Sequence, residues 1–183
     1  MHVSGYAVFF WLMLSTALTA CHNEISEIKA ITDPRQMPVQ TNRDATFIYT
    51  ENGRIKNKLI ASKLERYQGE SPYLLASSGF TMIFFDSSET EEARLTAVNG
   101  KYDERTNELI AWEKVVLVNE RGEKLETEEL IFAQDSTGIH TDKFVTITTD
   151  SGVIYGEGLE SNDSFTRYRI LKPYGDIYLN EEE

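Results

Sequence analysis

Residues 115–161 read VVLVNERGEKLETEELIFAQDSTGIHTDKFVTITTDSGVIYGEGLES, and they state one pattern twice. Val116 and Val118 alternate with Leu117, the chain reverses at Asn119-Glu120-Arg121-Gly122, and it returns through Leu125, Thr127 and Leu130. Val145 and Ile147 then lead into Thr149-Asp150-Ser151-Gly152, and the return passes Ile154 to reach Leu159. Alternation with period two puts successive side chains on opposite faces, and an Asn/Asp/Ser-Gly reversal suits a tight turn. Each statement therefore predicts a β-hairpin.

The unit recurs upstream. Phe47-Ile48-Tyr49-Thr50-Glu51-Asn52-Gly53 followed by Ile55 and Leu59 matches well, while Thr81-Met82-Ile83-Phe84-Phe85-Asp86-Ser87-Ser88 matches without a glycine. With Gly53, Ser87, Gly122 and Gly152 as equivalent turn positions, the steps are 34, 35 and 30 residues. Self-similarity at such a spacing marks a stacked architecture, here a meander of similar hairpins. Further strands are expected at 45–50, 58–67, 80–85 and 108–113, the last carrying Trp112. Segments 94–98 and 101–102 flank Asn99-Gly100, the strongest short hairpin signal in the chain. The C-terminal segments 165–171 and 177–179 are split by Pro173-Tyr174-Gly175, which reads as a turn. No long helical periodicity is present. Gly156 and Gly158, two glycines within one strand, suit a bulge or a close backbone approach.

Val116 to Leu130 (Val-x-Val-x4-Gly-x2-Leu-x-Thr-x2-Leu), Thr141-Asp142-Lys143-Phe144-Val145 and Gly152-Val153-Ile154-Tyr155-Gly156-Glu157-Gly158-Leu159 resemble the LptC family. The similarity runs roughly over 44–178 and is closest to the forms found in the Bacteroidetes. LptC is the membrane-anchored periplasmic component of lipopolysaccharide export. The resemblance implies an all-β fold, an open V-shaped β-jellyroll of antiparallel strands like that of OstA and LptA, holding the acyl chains of lipid A between its sheets. It implies as partners lipopolysaccharide, the inner-membrane ABC transporter LptB/LptF/LptG and the periplasmic bridge protein LptA. The apolar alternation of Phe47, Tyr49, Phe84, Leu95, Val116, Val118, Leu125, Leu130, Val145, Ile147 and Leu159 lines the space between the sheets. Those residues equally suit a closed core, and the groove follows from the resemblance alone. Edge strands near Thr46, Ile48 and Thr50, and near Tyr168, Ile170 and Leu171, are expected to pair with the transporter and with LptA respectively.

Composition restricts the function classes. The chain has 183 residues, 18 Lys and Arg against 30 Asp and Glu, and a net charge of −12. Polyphosphate binding needs clustered basic residues, and none cluster here, so a nucleic-acid partner is excluded. An anionic lipid remains compatible if its apolar tails make the main contact.

Residues 1–21 form a targeting segment outside the fold. The apolar run from Tyr6 to Ala20 is short for a transmembrane helix, which needs about 20 apolar residues. Leu18-Thr19-Ala20-Cys21 resembles the lipobox of bacterial lipoproteins, which implies acylation of Cys21 and cleavage before it; an uncleaved N-terminal membrane anchor is the alternative. Cys21 is the only cysteine, so no intramolecular disulfide staples the core. Residues 22–43, polar and broken by Pro34 and Pro38, form a tether, and 44–183 form the periplasmic domain.

No catalytic constellation is legible. Beyond residue 22 the only histidine is His140, more consistent with an ordinary strand residue than with a base or ligand. Metal binding needs several His, Cys or Asp ligands at fixed spacing, and these are missing, as is a Gly-x-Ser-x-Gly elbow. The expectation is a non-enzymatic binding protein with no metal and no cofactor. The competing class is a structural or adhesive β-repeat lipoprotein with a closed core.

Overall fold

A computed structural model describes residues 37–133 and 138–174. Cys21, the tether up to residue 36 and the segment 177–179 lie outside them. Ten strands follow in order: β1 (Gln40–Glu51), β2 (Arg54–Tyr67), β3 (Tyr73–Phe85), β4 (Glu91–Ala97), β5 (Asn99–Asp103), β6 (Glu108–Asn119), β7 (Lys124–Ala133), β8 (Gly138–Thr149), β9 (Gly152–Ser161) and β10 (Tyr168–Tyr174). They form a single antiparallel sheet in the order β1-β2-β3-β4-β6-β7-β8-β9-β10, with β5 paired to β3 and β6. This is the antiparallel meander that the hairpin repeats predicted and the all-β jellyroll that the family resemblance implied.

The four repeated turns all lie at one end of the sheet. Asn52 and Gly53, with φ of 51° and 77°, make the β1–β2 reversal, as a two-residue hairpin with right-handed strand twist requires. At β3–β4 the missing glycine is replaced by Asp86, whose Oδ1 accepts from the N–H groups of Ser88 (2.8 Å) and Thr90 (2.9 Å).

Each long strand breaks its register at mid-length, and the breaks align across the sheet. Pairing skips between Arg43 and Ala45, Ala61 and Lys63, Trp112 and Val115, Thr141 and Phe144, and Ile170 and Lys172. Positive φ recurs along this line, at Asp44, Ser78, Gly79, Glu113, Lys114 and Gly158. Bulges sharpen a strand's bend, so a row of them creases the sheet into two facing halves. The turn half carries the four repeated turns; the loop half carries the β2–β3, β5–β6 and β9–β10 connections. β3 and β6 cross the crease whole, pairing with β4 in the turn half and β5 in the loop half.

Four expectations are corrected by this geometry. Asn99-Gly100 is no hairpin: β4 and β5 never pair with each other but continue past the crease, and Gly100 is needed because a Cβ there would lie 2.7 Å from the Phe80 ring. Val116 and Val118 do not face the interior. Val115, Leu117 and Asn119 are buried, so their neighbours point outward, toward Thr96 and Glu126 and toward Arg94 and Lys124. Four consecutive apolar residues carry no phase of their own. β1 begins at Gln40, inside the stretch assigned to the tether. Pro173 belongs to β10, which it can do because that strand is an edge among the described residues.

Candidate apolar binding interior

The two halves meet through their inner faces. In the turn half, ladder pairing joins Phe47, Leu59, Met82, Leu95, Leu117, Leu125, Ile147 and Ile154 into one apolar row across eight strands. In the loop half a facing row runs Leu74, Tyr102, Leu109, Phe132, Ile139, Ser161 and Tyr168. Nearer the crease the loop half carries small residues, Ala76, Gly100 and Ala111, and the Phe80 ring occupies the room they leave.

Burial along the first row is graded. Phe47 is 41% exposed, Leu59 and Met82 are partly buried, and Leu95, Leu117, Leu125 and Ile147 are all at 0%. Leu130, Ile139, Val145 and Leu159 share that complete burial. Ile154, at the β9 end of the row, is again partly buried. The interior is thus a packed core from β4 to β9 and a wedge under β1, β2, β3 and β5 that reaches Leu109 of β6 and Phe132 of β7.

The packed side is tied shut from tip to tip. Phe165, fully buried in the β9–β10 loop, stacks on Tyr168 with ring centroids 4.9 Å apart. Asn119 Nδ2, at the turn end of β6, donates to the Phe165 carbonyl (2.8 Å), and Arg121 Nη2 donates to that of Thr166 (2.8 Å). Asn162 Oδ1 holds the loop by accepting from the N–H groups of Thr166 and Arg167 at 3.0 and 2.8 Å. Burial opposes ionisation of Glu123, but hydrogen bonds from Arg121 and Asn119 outweigh it and hold its carboxyl below the ordinary range.

The wedge side has a polar rim over an apolar floor. Burial raises the pKa of the Tyr102 hydroxyl, with Glu104 and then Tyr49, from the opposite half, adding to the effect. That hydroxyl donates to Asn107 Oδ1 (2.9 Å), and Arg66 Nη2 pairs with Glu104 Oε2 (3.0 Å) beside it. Between rim and core, Phe84 and Phe132 stack across the interior with centroids 5.5 Å apart.

The residues expected to line a groove therefore separate into three groups. Phe47, Tyr49 and Phe84 lie at the wedge; Leu95, Leu125, Leu130, Val145, Ile147 and Leu159 lie in the packed core; Val116 and Val118 lie on the outer face. On the edges, Thr46 and Ile48 point outward from β1, Thr50 follows a register shift, Tyr168 and Ile170 pack on the core, and Leu171 is 47% exposed at the crease. Leu59, Leu74, Met82, Tyr102, Leu109 and Phe132 line the wedge and were missed. For most of these the signal was present as alternation within strands already recognised, such as Leu59 after the Gly53 turn.

Gly156 and Gly158 have a definite task. A Cβ on Gly156 would collide with the Ile170 side chain, and Gly158, with φ of 78°, sits on the crease against Leu171. Among the described residues no group of three or more His, Cys, Asp or Glu side chains is placed to hold a metal ion. Among the described residues no helix is long and apolar enough to cross a membrane.

The sequence profile of the family described as "Lipopolysaccharide-assembly, LptC-related" matches residues 6–172. No curated protein sequence matches the chain. Among solved structures it is similar to the crystal structure of LptH, the LptA-homologous periplasmic component of the lipopolysaccharide transport device of Pseudomonas aeruginosa. That match has 11% identity and a TM-score of 0.41, over 59% of this chain and 84% of LptH. A family match over nearly the whole length, on a creased antiparallel jellyroll with a partly open apolar interior, identifies this chain as a member of the LptC-related lipopolysaccharide-assembly family, a non-enzymatic periplasmic component of the lipopolysaccharide transport bridge.

Proposed function

We propose that the wedge under β1, β2, β3 and β5 holds acyl chains of lipid A as lipopolysaccharide passes from the LptB/LptF/LptG transporter to LptA. The observation that carries this is the burial gradient along one apolar row, from 41% exposed at Phe47 to 0% at Leu95. A row that is continuous in chemistry but uncovered at its β1 end offers apolar surface to a chain-like ligand, and the gain on covering it is roughly 25 cal/mol per Å². The net charge of −12 is compatible because the contact is with tails, while Arg66 at the rim supplies a cation.

In this reading Cys21 is acylated and residues 1–20 are removed, tethering the domain to the periplasmic face of the inner membrane. The support is the sequence Leu18-Thr19-Ala20-Cys21, and two or three acyl chains give stable anchoring where one is marginal. Mass spectrometry of membrane-extracted protein checks it, and an unmodified Cys21 still joined to Ala20 means an uncleaved anchor instead. Docking uses the two sheet edges, β1 toward the transporter and β10 toward LptA, by strand addition.

A photo-crosslinking residue at Met82 or Leu109 is expected to capture lipopolysaccharide in cells, whereas one at outward-facing Val118 is not. Equal labelling of both classes, or none at either, would return the interior to a closed structural core.

A further inference from the structure

The interior contains one feature that acyl binding alone does not call for. Phe84 reaches inward from the turn half and Phe132 from the loop half, and their rings stack at 5.5 Å and 17° across the space between. Both are partly buried against the core. Phe84 lies in the ladder row Tyr49-Asn57-Phe84-Ala93-Asn119, where Tyr49 is 58% exposed on one side of it and Ala93 and Asn119 are 1% and 5% exposed on the other. The pair stands where the open wedge gives way to packed core.

We propose that the Phe84–Phe132 stack is a depth stop: it ends the acyl compartment and sets the length of chain the protein holds. This rests on the wedge being the acyl site. A chain entering past Tyr49 and Tyr102 runs along Leu59, Met82 and Leu109 until it meets the two rings, and its further methylenes stay outside in water. Passage toward β8 and β9 requires the rings to part. The packed side is fastened differently, by hydrogen bonds from Asn119 and Arg121 to the Phe165 and Thr166 carbonyls. Directional bonds to the loop carbonyls, that of Phe165 buried, resist opening, whereas two apolar rings are held by stacking and burial and slide apart more readily. The wedge floor is therefore the adjustable end.

The test uses the full-length chain and displacement of a fluorescent fatty-acid probe by saturated fatty acids from octanoate to stearate. Affinity is expected to rise roughly fourfold per methylene up to a limiting length and then to level off. Phe84→Ala and Phe132→Ala should each move that limit to longer acids by several methylenes. Phe144→Ala, which removes a 54% exposed aromatic on the outer face, should leave it in place. Thermal unfolding establishes that each variant is folded. Should an alanine variant fail to fold, Phe84→Leu and Phe132→Leu, which keep apolar bulk but lose the ring, decide by the same shift. Binding by the wild type with no limiting length, or a limit unmoved in folded variants, overturns the depth stop and leaves the acyl site standing. No binding of any acid by the wild type overturns both.

Discussion

Asn119 uses every hydrogen-bonding group of its side chain. Its Oδ1 accepts from the N–H groups of Arg121 and Glu123, both at 3.0 Å, and its Nδ2 donates to Glu123 Oε2 (2.6 Å) and to the Phe165 carbonyl. A residue that is 5% exposed and fully satisfied costs little to bury, but its removal strands three partners. Asn119→Ala should lower stability by about 1–3 kcal/mol, as expected when buried partners lose their bonds, and chemical unfolding measures it. Glu123 adds a pH dependence whose sign is fixed. Its pKa is lower in the folded than in the unfolded chain, so its contribution is full above the unfolded carboxylate value and is lost as pH falls through the folded one. Stability of the wild type should therefore fall more steeply on acidification than that of Glu123→Gln, which has no such proton to take up. Parallel acid limbs for the two proteins would remove Glu123 from this role.

At the scale of the strand, the decisive quantity is phase, and here the sequence was legible only in part. Turns at Gly53, Gly122 and Gly152 were readable because positive φ restricts which residues a tight reversal accepts, and those turns located the strands. The crease was marked at one point only, by Gly158 within a strand. Apart from Gly79, its other positive-φ positions fall on Asp44, Ser78, Glu113 and Lys114, residues ordinary enough to leave no local mark, and the alignment of bulges appears only when the strands lie side by side. Asn99-Gly100 misled for a related reason, since its glycine answers a steric need of Phe80 from the facing half. In Val115-Val116-Leu117-Val118 the continuous apolar run hid which alternate residues face inward, and a slip of one exchanges the faces. The assignment of faces is checked by substitution: Leu117→Ala, at 0% exposure, should cost about 2–5 kcal/mol. Val118→Ala, on the outer face, should cost well under half of that. Equal losses would mean that both faces of β6 are packed.

Across the whole molecule the two edges differ in what stands behind them. Behind β1 lies the open wedge, with Phe47 and Tyr49 each more than two-fifths exposed, and behind β10 lies packed core capped by Phe165. Exposed edges are commonly blunted with charge or proline, and β10 carries both, in Arg169 paired to Glu160, Lys172 paired to Glu157, and Pro173. β1 carries less: from Thr46 to Thr50 it has no charged residue. Perturbing the two edges should therefore have separable effects. Tyr49→Asp, at a residue 58% exposed beside the wedge, should weaken acyl capture while leaving the melting temperature nearly unchanged. Leu171→Pro falls in the register break between Ile170 and Lys172, so it spares every ladder pair between β9 and β10 while altering what β10 offers a further strand. It should reduce capture of LptA by membrane-anchored protein and leave fatty-acid binding intact. The measurement is a paired one, pull-down of LptA and probe displacement on the same two variants. Loss of acyl binding in Leu171→Pro, or loss of LptA capture in Tyr49→Asp, would mean that the edges act as one coupled surface; the burial gradient argues against that, because the packed core lies between them.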